Sequence, residues 1–268
     1  MHPIIRADDV AERLDDPTLR VVDVRWYLTD HDLGSRNYTE GHVPGAVYLD
    51  MEEDLSDLSV PDAGRHPLPD REAFAALLGA RGIGNDSSVV AYDDAGGAVA
   101  GRLWWMLRWL GHEDVAVLDG GFPAWISADL PIEATTPPVT PTAFVVGEPL
   151  TTTADRDWIA GRAGRLFDAR APERHQGLVE PVDPVPGHIP GAENLPATSV
   201  VDSTGRFLPP DELAQLLGET GGSAAACGSG VNACVLILAA VAAGLPEAAL
   251  YPGSYSEWSR AGMPVETG

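Results

Sequence analysis

Lysine is absent from this chain, and all 17 basic residues are arginines. The acidic residues number 40, so the formal net charge is −23. So little positive charge argues against binding to nucleic acid or to an anionic membrane, and neither is expected as a partner. The same acidity raises a question about function. An anionic substrate would have to meet locally placed arginines within a repulsive overall field.

Cysteine is scarce as well, since only Cys227 and Cys234 occur. Two cysteines seven positions apart cannot build a disulfide framework or a metal-ligand cluster, so no metal and no cofactor is expected. Reduced thiols favour a reducing compartment, and the N-terminal stretch shows no basic segment followed by an apolar core, as a signal peptide would. The apolar run after Cys227 is too short to span a bilayer. These features predict a cytoplasmic protein.

One of the two cysteines stands in a distinctive turn. Residues 223–244 read SAAACGSGVNACVLILAAVAAG, which predicts a small apolar strand, a glycine-rich turn that begins at Cys227, and an apolar helix. The glycines allow backbone N–H groups to converge on an anion, and the positive helix N-terminus favours a thiolate. The pattern indicates a cysteine nucleophile whose product can also be anionic. A buried structural cysteine in a phosphate-binding-like turn would give the same pattern.

The chain also repeats itself. Four blocks recur in the same order, which indicates a duplicated domain rather than a solenoid. We predict a first domain at 1–133, a surface linker at 134–150 and a second domain at 151–268. The paired blocks are LRVVDVR (19–25) and RLFDAR (165–170), GHVPGA (41–46) and GHIPGA (187–192), DGGFPAW (119–125) and PGSYSEW (252–258), and LPIE (130–133) and MPVE (263–266).

Each half alternates short apolar strands with helical segments. This alternation predicts an α/β fold in which each domain has a mostly parallel sheet with helices on both faces. Ligands of such sheets bind at the carboxyl ends of the strands, where Cys227 falls. In the first half we predict strands at Val21–Val24, Ala46–Tyr48, Val89–Tyr92 and Ala116–Asp119, and helices at Ala7–Leu14, Arg71–Ala80 and Val99–Leu110.

The segment CGSGVNA resembles the CG(S/T)GVTA active-site loop of the rhodanese family of sulfurtransferases, and the paired GHVPGA and GHIPGA motifs match a signature of that family. The resemblance covers nearly the whole chain and is strongest to the mercaptopyruvate branch. It implies two tandem rhodanese-like domains. It also implies that Cys227 accepts a sulfane sulfur as a persulfide from a small anionic donor, thiosulfate or 3-mercaptopyruvate. The sulfur then passes to cyanide, to a thiol or to a protein acceptor.

The resemblance also assigns residues around that cysteine. Asn232 stands where the family usually has threonine, and its amide can still donate a hydrogen bond to the cradled sulfur. The loop residues that would bind substrate are Gly228, Gly230, Val231 and Asn232.

The resemblance further implies a proton-transfer group near the nucleophile. His66 would transfer the proton, Asp50 would orient His66, and Ser229 of the loop would relay. A solvent-exposed loop histidine is the alternative for His66. For His42 and His188, which lie in the GH-PGA turns, a structural role is the plainer interpretation.

Alignment of the two halves separates a silent site from an active one. Asp93 in the first half takes the place of Cys227 in the second. A carboxylate cannot carry sulfur, so the first domain is predicted to be inactive and the second catalytic.

The resemblance to the rhodanese family is weaker at the residues that bind the substrate anion. Arg174 matches the family's arginine that holds the substrate carboxylate or sulfonate. The mercaptopyruvate branch adds a second arginine in an E-P-R segment, but this chain reads Glu180-Pro181-Val182 and continues with Asp183. We expect Asp183 to repel a carboxylate, and the preferred sulfur donor is left open.

Two other functions are alternatives to sulfur transfer to a small acceptor. Cysteine-dependent phosphatases use a similar loop but close it with an arginine, whereas this chain has Asn232 and Ala233 there. A non-catalytic or protein-directed sulfur carrier remains the other alternative. Turnover with a small acceptor such as cyanide separates the enzyme from the carrier.

Overall fold

The strands run parallel and form two sheets, one in each of two structural units. A computed structural model describes all residues, 1–268. Unit 1 comprises residues 1–56, 69–150 and 203–207, and unit 2 comprises residues 57–68, 151–202 and 208–268. The segment 57–68, from the first half of the chain, therefore belongs to unit 2. The segment 203–207, from the second half, belongs to unit 1. The predicted linker at 134–150 groups with unit 1.

Unit 1 is built on a five-stranded sheet. Its strands are β1 (Ile4–Ile5), β2 (Leu19–Asp23), β3 (Val47–Tyr48), β4 (Ser88–Tyr92) and β5 (Val115–Leu118). They lie in the order β1-β5-β4-β2-β3, and every pairing is parallel. Its helices are α1 (Ala7–Ala11), α2 (Leu33–Glu40), α3 (Arg71–Ala80), α4 (Ala98–Trp109) and α5 (Gly121–Ser127). Trp104 and Trp105 of α4 are fully buried in the core of this unit.

Unit 2 repeats this plan with four strands. They are β6 (Leu166–Asp168), β7 (Glu193–Asn194), β8 (Ala224–Ala226) and β9 (Ala249–Leu250), in the parallel order β7-β6-β8-β9. A single parallel bridge between Thr153 and Leu250 stands where unit 1 has β1 beside β5. The helices are α6 (Arg156–Gly161), α7 (Pro172–His175), a 3-10 helix (Ala197–Val200), α8 (Pro210–Leu217), α9 (Ala233–Ala242) and α10 (Ser254–Arg260).

The predicted α/β architecture with parallel sheets is confirmed, and the helix predicted at Arg71–Ala80 has those bounds in the structure. Its N-terminus is capped by Asp70, whose side chain accepts a hydrogen bond from the Ala73 amide at 3.0 Å. The predicted strands match β2 to β5 to within two residues at each end. Helix α1 ends at Ala11 rather than Leu14, and α2 and α5 were not predicted. Helix α2 reads LGSRNYTE, and few of its residues are apolar enough to reveal a buried face.

A buried ion pair follows the second strand of the unit 1 sheet and its counterpart in unit 2. In unit 2, Arg170 donates to Asp168 Oδ1 at 3.0 Å, to Asp168 Oδ2 at 2.6 Å and to the Gly187 carbonyl at 2.9 Å. Unit 1 makes the same contacts with Arg25, Asp23 and the Gly41 carbonyl. The arginine thus ties the strand to the GH-PGA turn in both units, which explains why both blocks recur together.

The two GH-PGA histidines are buried and contact the backbone. His42 and His188 are buried, and each pairs through its backbone with a glutamate near the end of its repeat, Glu133 or Glu266. Their Nδ1 atoms lie 2.7 Å from backbone carbonyls of Tyr38 and His175. These contacts support the interpretation made from the flanking glycine and proline.

Two kinds of feature are not found in the structure. No helix combines the length and apolar character needed to cross a membrane. No three His, Cys, Asp or Glu side chains are grouped so that they could hold a metal ion.

Removal of the Asp168 carboxylate should destabilise the protein in a pH-dependent way. Burial raises the pKa of Asp168, but hydrogen bonds from His175 and Arg170 outweigh it and lower the pKa to about 2. This pKa lies below the pKa of about 3.9 that the carboxyl group has in the unfolded chain. The ionised carboxylate therefore stabilises the fold fully above about pH 3.9. That stabilisation is lost as the pH falls through about 2. Asp168→Asn should cost about 3 kcal/mol at pH 7, because it leaves a buried guanidinium short of its partner.

Denaturant unfolding of the wild type and of Asp168→Asn, followed from pH 7 down to pH 3, measures this cost. The difference in the free energy of unfolding between the wild type and Asp168→Asn should narrow as the pH falls. Asp157→Asn, at an exposed carboxylate of the same unit, is the control. A gap that stays constant over this range would contradict the role given to Asp168.

Candidate active site

The turn between β8 and α9 holds the candidate nucleophile. Cys227 directly follows the last residue of β8 and is 4% exposed. Its amide donates to the Ser254 hydroxyl at 3.1 Å, and its carbonyl accepts from the Tyr255 amide at 3.0 Å. The Gly230 amide points back at the sulfur, with N and Sγ 3.2 Å apart. The backbone is thus held on both sides, and an N–H group faces the sulfur.

Gly230 is required by the shape of this turn. Its φ is +78°, and a Cβ at this position would lie 2.5 Å from the Pro252 carbonyl oxygen. A residue with a side chain would therefore be strained and would also clash, moving the N–H group away from Cys227. Val231 is buried beside it.

Two polar residues of the same stretch lie differently. Asn232 is exposed and its side chain makes no capping bond to α9, so its predicted hydrogen bond to the sulfur stays a prediction. Cys234 is completely buried in α9, where its thiol contacts the Gly230 carbonyl at 3.4 Å. Of the two thiols, only Cys227 stands in the glycine-rich turn.

His66 and Ser229 are brought together. The segment 57–68 belongs to unit 2, and within that unit His66 Nδ1 lies 2.8 Å from Ser229 Oγ. His66 is 4% exposed, so the alternative of a solvent-exposed loop histidine is wrong. Ser229 is two residues from Cys227, so the pair adjoins the nucleophile. Such a pair can pass a proton, because a hydroxyl both donates and accepts.

Asp50 is held within unit 1. Its Oδ1 accepts from the Glu52 and Glu53 amides, and its Oδ2 accepts from the Tyr48 hydroxyl at 3.2 Å. The carboxylate therefore closes a turn after β3. Its predicted action on His66 stays a prediction.

Arg174 is held by the segment that lacks the expected second arginine. Its guanidinium donates to Glu180 at 2.7 Å and 3.2 Å and to Asp183 at 3.2 Å. The Val182 and Asp183 amides donate to the same Glu180 oxygen, which shapes the turn. Burial raises the pKa of Glu180, but the hydrogen bonds from Arg174 and from these amides lower it by more. The pKa of Glu180 therefore lies below its usual range.

Sequence reasoning did not single out Arg65. This residue precedes His66, and its guanidinium forms an ion pair with the other oxygen of Asp183. Its backbone amide donates to the Ser256 hydroxyl at 3.0 Å, while the Ser256 amide donates to the Gly228 carbonyl at 2.9 Å. Ser256 thus links the segment that carries Arg65 to the loop that carries Cys227. Adjacency to His66 was the only signal in the sequence.

The expected repulsion by Asp183 is wrong. The carboxylate is completely buried as a side chain, and both of its oxygens face arginines, Arg65 and Arg174. A buried carboxylate between two guanidinium groups has its charge compensated locally. The sequence could not show this, because Arg65 is 118 positions away from Asp183.

Several known proteins resemble this chain. Residues 6–128 match the model of the rhodanese-like domain. The chain is 43% identical to a Pseudomonas aeruginosa protein named "Probable 3-mercaptopyruvate sulfurtransferase", over 99% of this chain and 98% of that one. It is 33% identical to thiosulfate/3-mercaptopyruvate sulfurtransferase 2 of Arabidopsis thaliana, over 97% of this chain and 85% of that one.

Among solved structures, SseA from Escherichia coli, described as a 3-mercaptopyruvate sulfotransferase with the rhodanese fold, superposes with a TM-score of 0.84. The two share 32% identity over 96% of this chain and all of that one. The chain belongs to the rhodanese family of sulfurtransferases. It is therefore an enzyme that transfers sulfur, as the loop motif implied.

The turn of unit 1 that corresponds to the Cys227 turn holds a carboxyl group. Asp93 stands at the position of Cys227, and the Phe122 amide donates to its carbonyl at 2.8 Å just as that of Tyr255 does in unit 2. The Asp93 carboxylate is buried and accepts four backbone N–H groups at 2.8 to 3.0 Å. Burial raises the pKa of Asp93, and the four N–H donors oppose that rise. The cradle of unit 1 is thus filled by its own side chain.

Asp93 should matter for stability and not for chemistry. Asp93→Ala leaves four N–H groups without their acceptor, so the free energy of unfolding should fall by about 2 kcal/mol or more. The kcat per folded molecule should change far less than in Cys227→Ser. Denaturant unfolding and steady-state assays measure the two effects.

A new cysteine in the unit 1 turn should not restore activity. The double variant Asp93→Cys, Cys227→Ser should show no turnover, because the first turn lacks the CGSGVNA spacing. The single variant Asp93→Cys, with Cys227 intact, is its matched control. Normal turnover by the double variant would contradict the division into a silent and an active unit.

Proposed function

We propose that this rhodanese family member transfers sulfur by a double displacement through a persulfide on Cys227 in unit 2, while unit 1 is catalytically silent. With thiosulfate, the Cys227 thiolate attacks the outer sulfur and forms a new S–S bond. The bond between the two sulfurs of thiosulfate breaks, and sulfite leaves with its electron pair. An acceptor such as cyanide then attacks the outer persulfide sulfur, giving thiocyanate and returning the Cys227 thiolate.

With 3-mercaptopyruvate, the first half-reaction also moves a proton. Cys227 forms a bond to the donor sulfur, and the C–S bond breaks so that its electron pair passes to the carbon next to the ketone. The thiol proton of the donor ends on that carbon, giving pyruvate. The buried pair of His66 and Ser229 is the group we propose to carry this proton.

The observation that carries the proposal is the Gly230 amide directed at Cys227 Sγ over 3.2 Å. An N–H donor at the N-terminal end of α9 stabilises an anionic sulfur, both as the thiolate and as the persulfide that replaces it. A merely structural buried cysteine, as Cys234 is, has no such need. The names of the relatives support thiosulfate and 3-mercaptopyruvate as the donor class. Arg174, beside the loop, supports an anionic donor.

The acceptor follows from the chemistry of the persulfide. Any thiophilic nucleophile with access to the outer sulfur completes the cycle, so cyanide, a small thiol and a protein thiol are all suitable. Cys227 has to return to the reduced state in each cycle, which supports the reducing, cytoplasmic location predicted from the cysteine content. A protein-directed carrier would share the first half-reaction and differ in turning over poorly with small acceptors.

Replacement of the nucleophile should separate the two cysteines. Cys227→Ser should abolish sulfur transfer, whereas Cys234→Ser should keep most of it, because Cys234 is completely buried in α9. Mass spectrometry after treatment with donor should find one added sulfur atom on the peptide that carries Cys227. Sulfur on Cys234 instead would contradict the assignment.

Loss of the imidazole should affect the two donors unequally. Only 3-mercaptopyruvate requires proton delivery to carbon, so His66→Asn should lower its kcat by about 10²-fold or more, in the range of general acid–base catalysis. The kcat with thiosulfate should fall much less, since sulfite leaves without a proton. Steady-state assays with cyanide as acceptor give both values.

His31→Asn, at an exposed histidine, is the matched control and should leave both rates unchanged. An equal loss with both donors would indicate that His66 merely supports the loop.

A further inference from the structure

Two arginines converge on the residue after the nucleophile. A Cβ built on Gly228 would lie 2.6 Å from Arg65 Nη2, 3.3 Å from Arg174 Nη1 and 3.6 Å from Arg174 Nη2. Arg65 comes from the segment 57–68 and Arg174 from α7, and both belong to unit 2. Guanidinium groups from two distant parts of the chain thus cover the same glycine, one position from Cys227.

Each arginine is anchored through only part of its guanidinium group. Arg65 uses Nη1 for Asp183, and Arg174 uses Nε and Nη2 for Glu180 and Asp183. The atoms that face Gly228, Arg65 Nη2 and Arg174 Nη1, make no hydrogen bond to another protein group. The Nε atom of Arg65 is buried and also lacks a hydrogen-bond partner. Spare N–H donors therefore point toward the loop while the carboxylates hold the groups in place.

The charges of this cluster balance. Three arginines, Arg65, Arg170 and Arg174, are joined by ion pairs to three carboxylates, Asp168, Glu180 and Asp183. The carboxylates are nearly or completely buried, with side-chain exposures of 6%, 2% and 0%, whereas Arg65 and Arg174 are 16% and 21% exposed. Positive charge is therefore what this cluster presents at its accessible edge. This answers how an anion can bind to a chain with a net charge of −23.

We propose that Arg65 and Arg174 together bind the anionic end of the sulfur donor above Gly228. In this arrangement Arg65 supplies the second guanidinium that the segment Glu180-Pro181-Val182 does not. The inference rests on the proposed function, because it assigns the carboxylate or sulfonate of a donor that reacts at Cys227. Two planar N–H forks match an anion with several oxygens better than one fork does.

The glycine at position 228 fits the same role. Its φ lies outside the left-handed range, so the backbone there does not itself require glycine. What a side chain would meet is the end of Arg65, a flexible group that can move aside. Alanine at this position should therefore be compatible with folding and should displace Arg65 from the loop.

Steady-state kinetics of Arg65→Gln, measured with 3-mercaptopyruvate and cyanide, tests the proposal. Loss of one set of charge-assisted hydrogen bonds should raise KM about tenfold or more. At saturating donor, kcat should stay within about twofold, because a clamp remote from the reacting atoms contributes mainly uniform binding. Arg65→Lys should recover only part of the loss, since an ammonium keeps the charge without the planar fork. Arg260→Gln removes an exposed positive charge from the same unit and should leave KM unchanged.

Gly228→Ala gives a second measurement that keeps both arginines. It should raise KM for 3-mercaptopyruvate in the same direction as Arg65→Gln, and the double variant should be little worse than either single one, because both changes act on one contact. KM values of Arg65→Gln and Gly228→Ala that both stay within about twofold of the wild type would overturn the proposal.

The result also separates this inference from the proposed function. Mass spectrometry of the donor-treated wild type reports whether Cys227 gains sulfur. If Cys227 gains no sulfur, the persulfide mechanism fails. If it gains sulfur and the arginine variants keep their KM, only the role of Arg65 fails. A raised KM together with normal persulfide formation at saturating donor supports both.

Discussion

The N–H groups at the turn between the central strand and the following helix need an acceptor, and the two units meet this need in different ways. In unit 1 the Asp93 carboxylate accepts four of them and is buried in the turn. In unit 2 a sulfur takes that position and accepts from Gly230. A carboxylate saturates the cradle permanently, whereas a thiol leaves it able to stabilise an anion that forms during a reaction. The repeated scaffold thus carries a carboxylate in one copy and a thiol in the other, which is the difference on which the proposed silent and reactive copies rest.

The arginine network near Cys227 places positive charge within a chain whose net charge is −23. Every guanidinium near the loop is held by a buried carboxylate, so the cluster is neutral as a whole and positive only at its accessible edge. Arginine suits this arrangement because it can bind a carboxylate with one side of its fork and keep other N–H groups for a ligand. The same logic explains Asp183, whose charge serves to hold two arginines together.

The interactions that recur in both units explain which parts of the site could be predicted. The Asp–Arg pair after β2 and β6, the GH-PGA turns and the parallel sheets all leave local signals that the duplication doubles. Cys227, Ser229 and Arg174 lie within such local patterns. His66 was identified only through the family resemblance, and its burial against Ser229 could not be inferred from its own neighbours in the chain, which are Arg65 and Pro67. Helix α2 has few apolar residues, so its buried face left little sign in the sequence.

The sequence by itself determined the α/β class, the duplication, the loop with its cysteine and the aspartate at the matching position of the first copy. Each of these depends on residues that lie close together in the chain. Only the tertiary structure decided that the segment 57–68 groups with unit 2, and that Arg65 and Asp183 form a pair across 118 positions. Contacts of that range leave no period and no motif in a single sequence. They arise when packing brings distant backbone segments together, and Ser256, which hydrogen-bonds to both Arg65 and Gly228, is the residue that does so here.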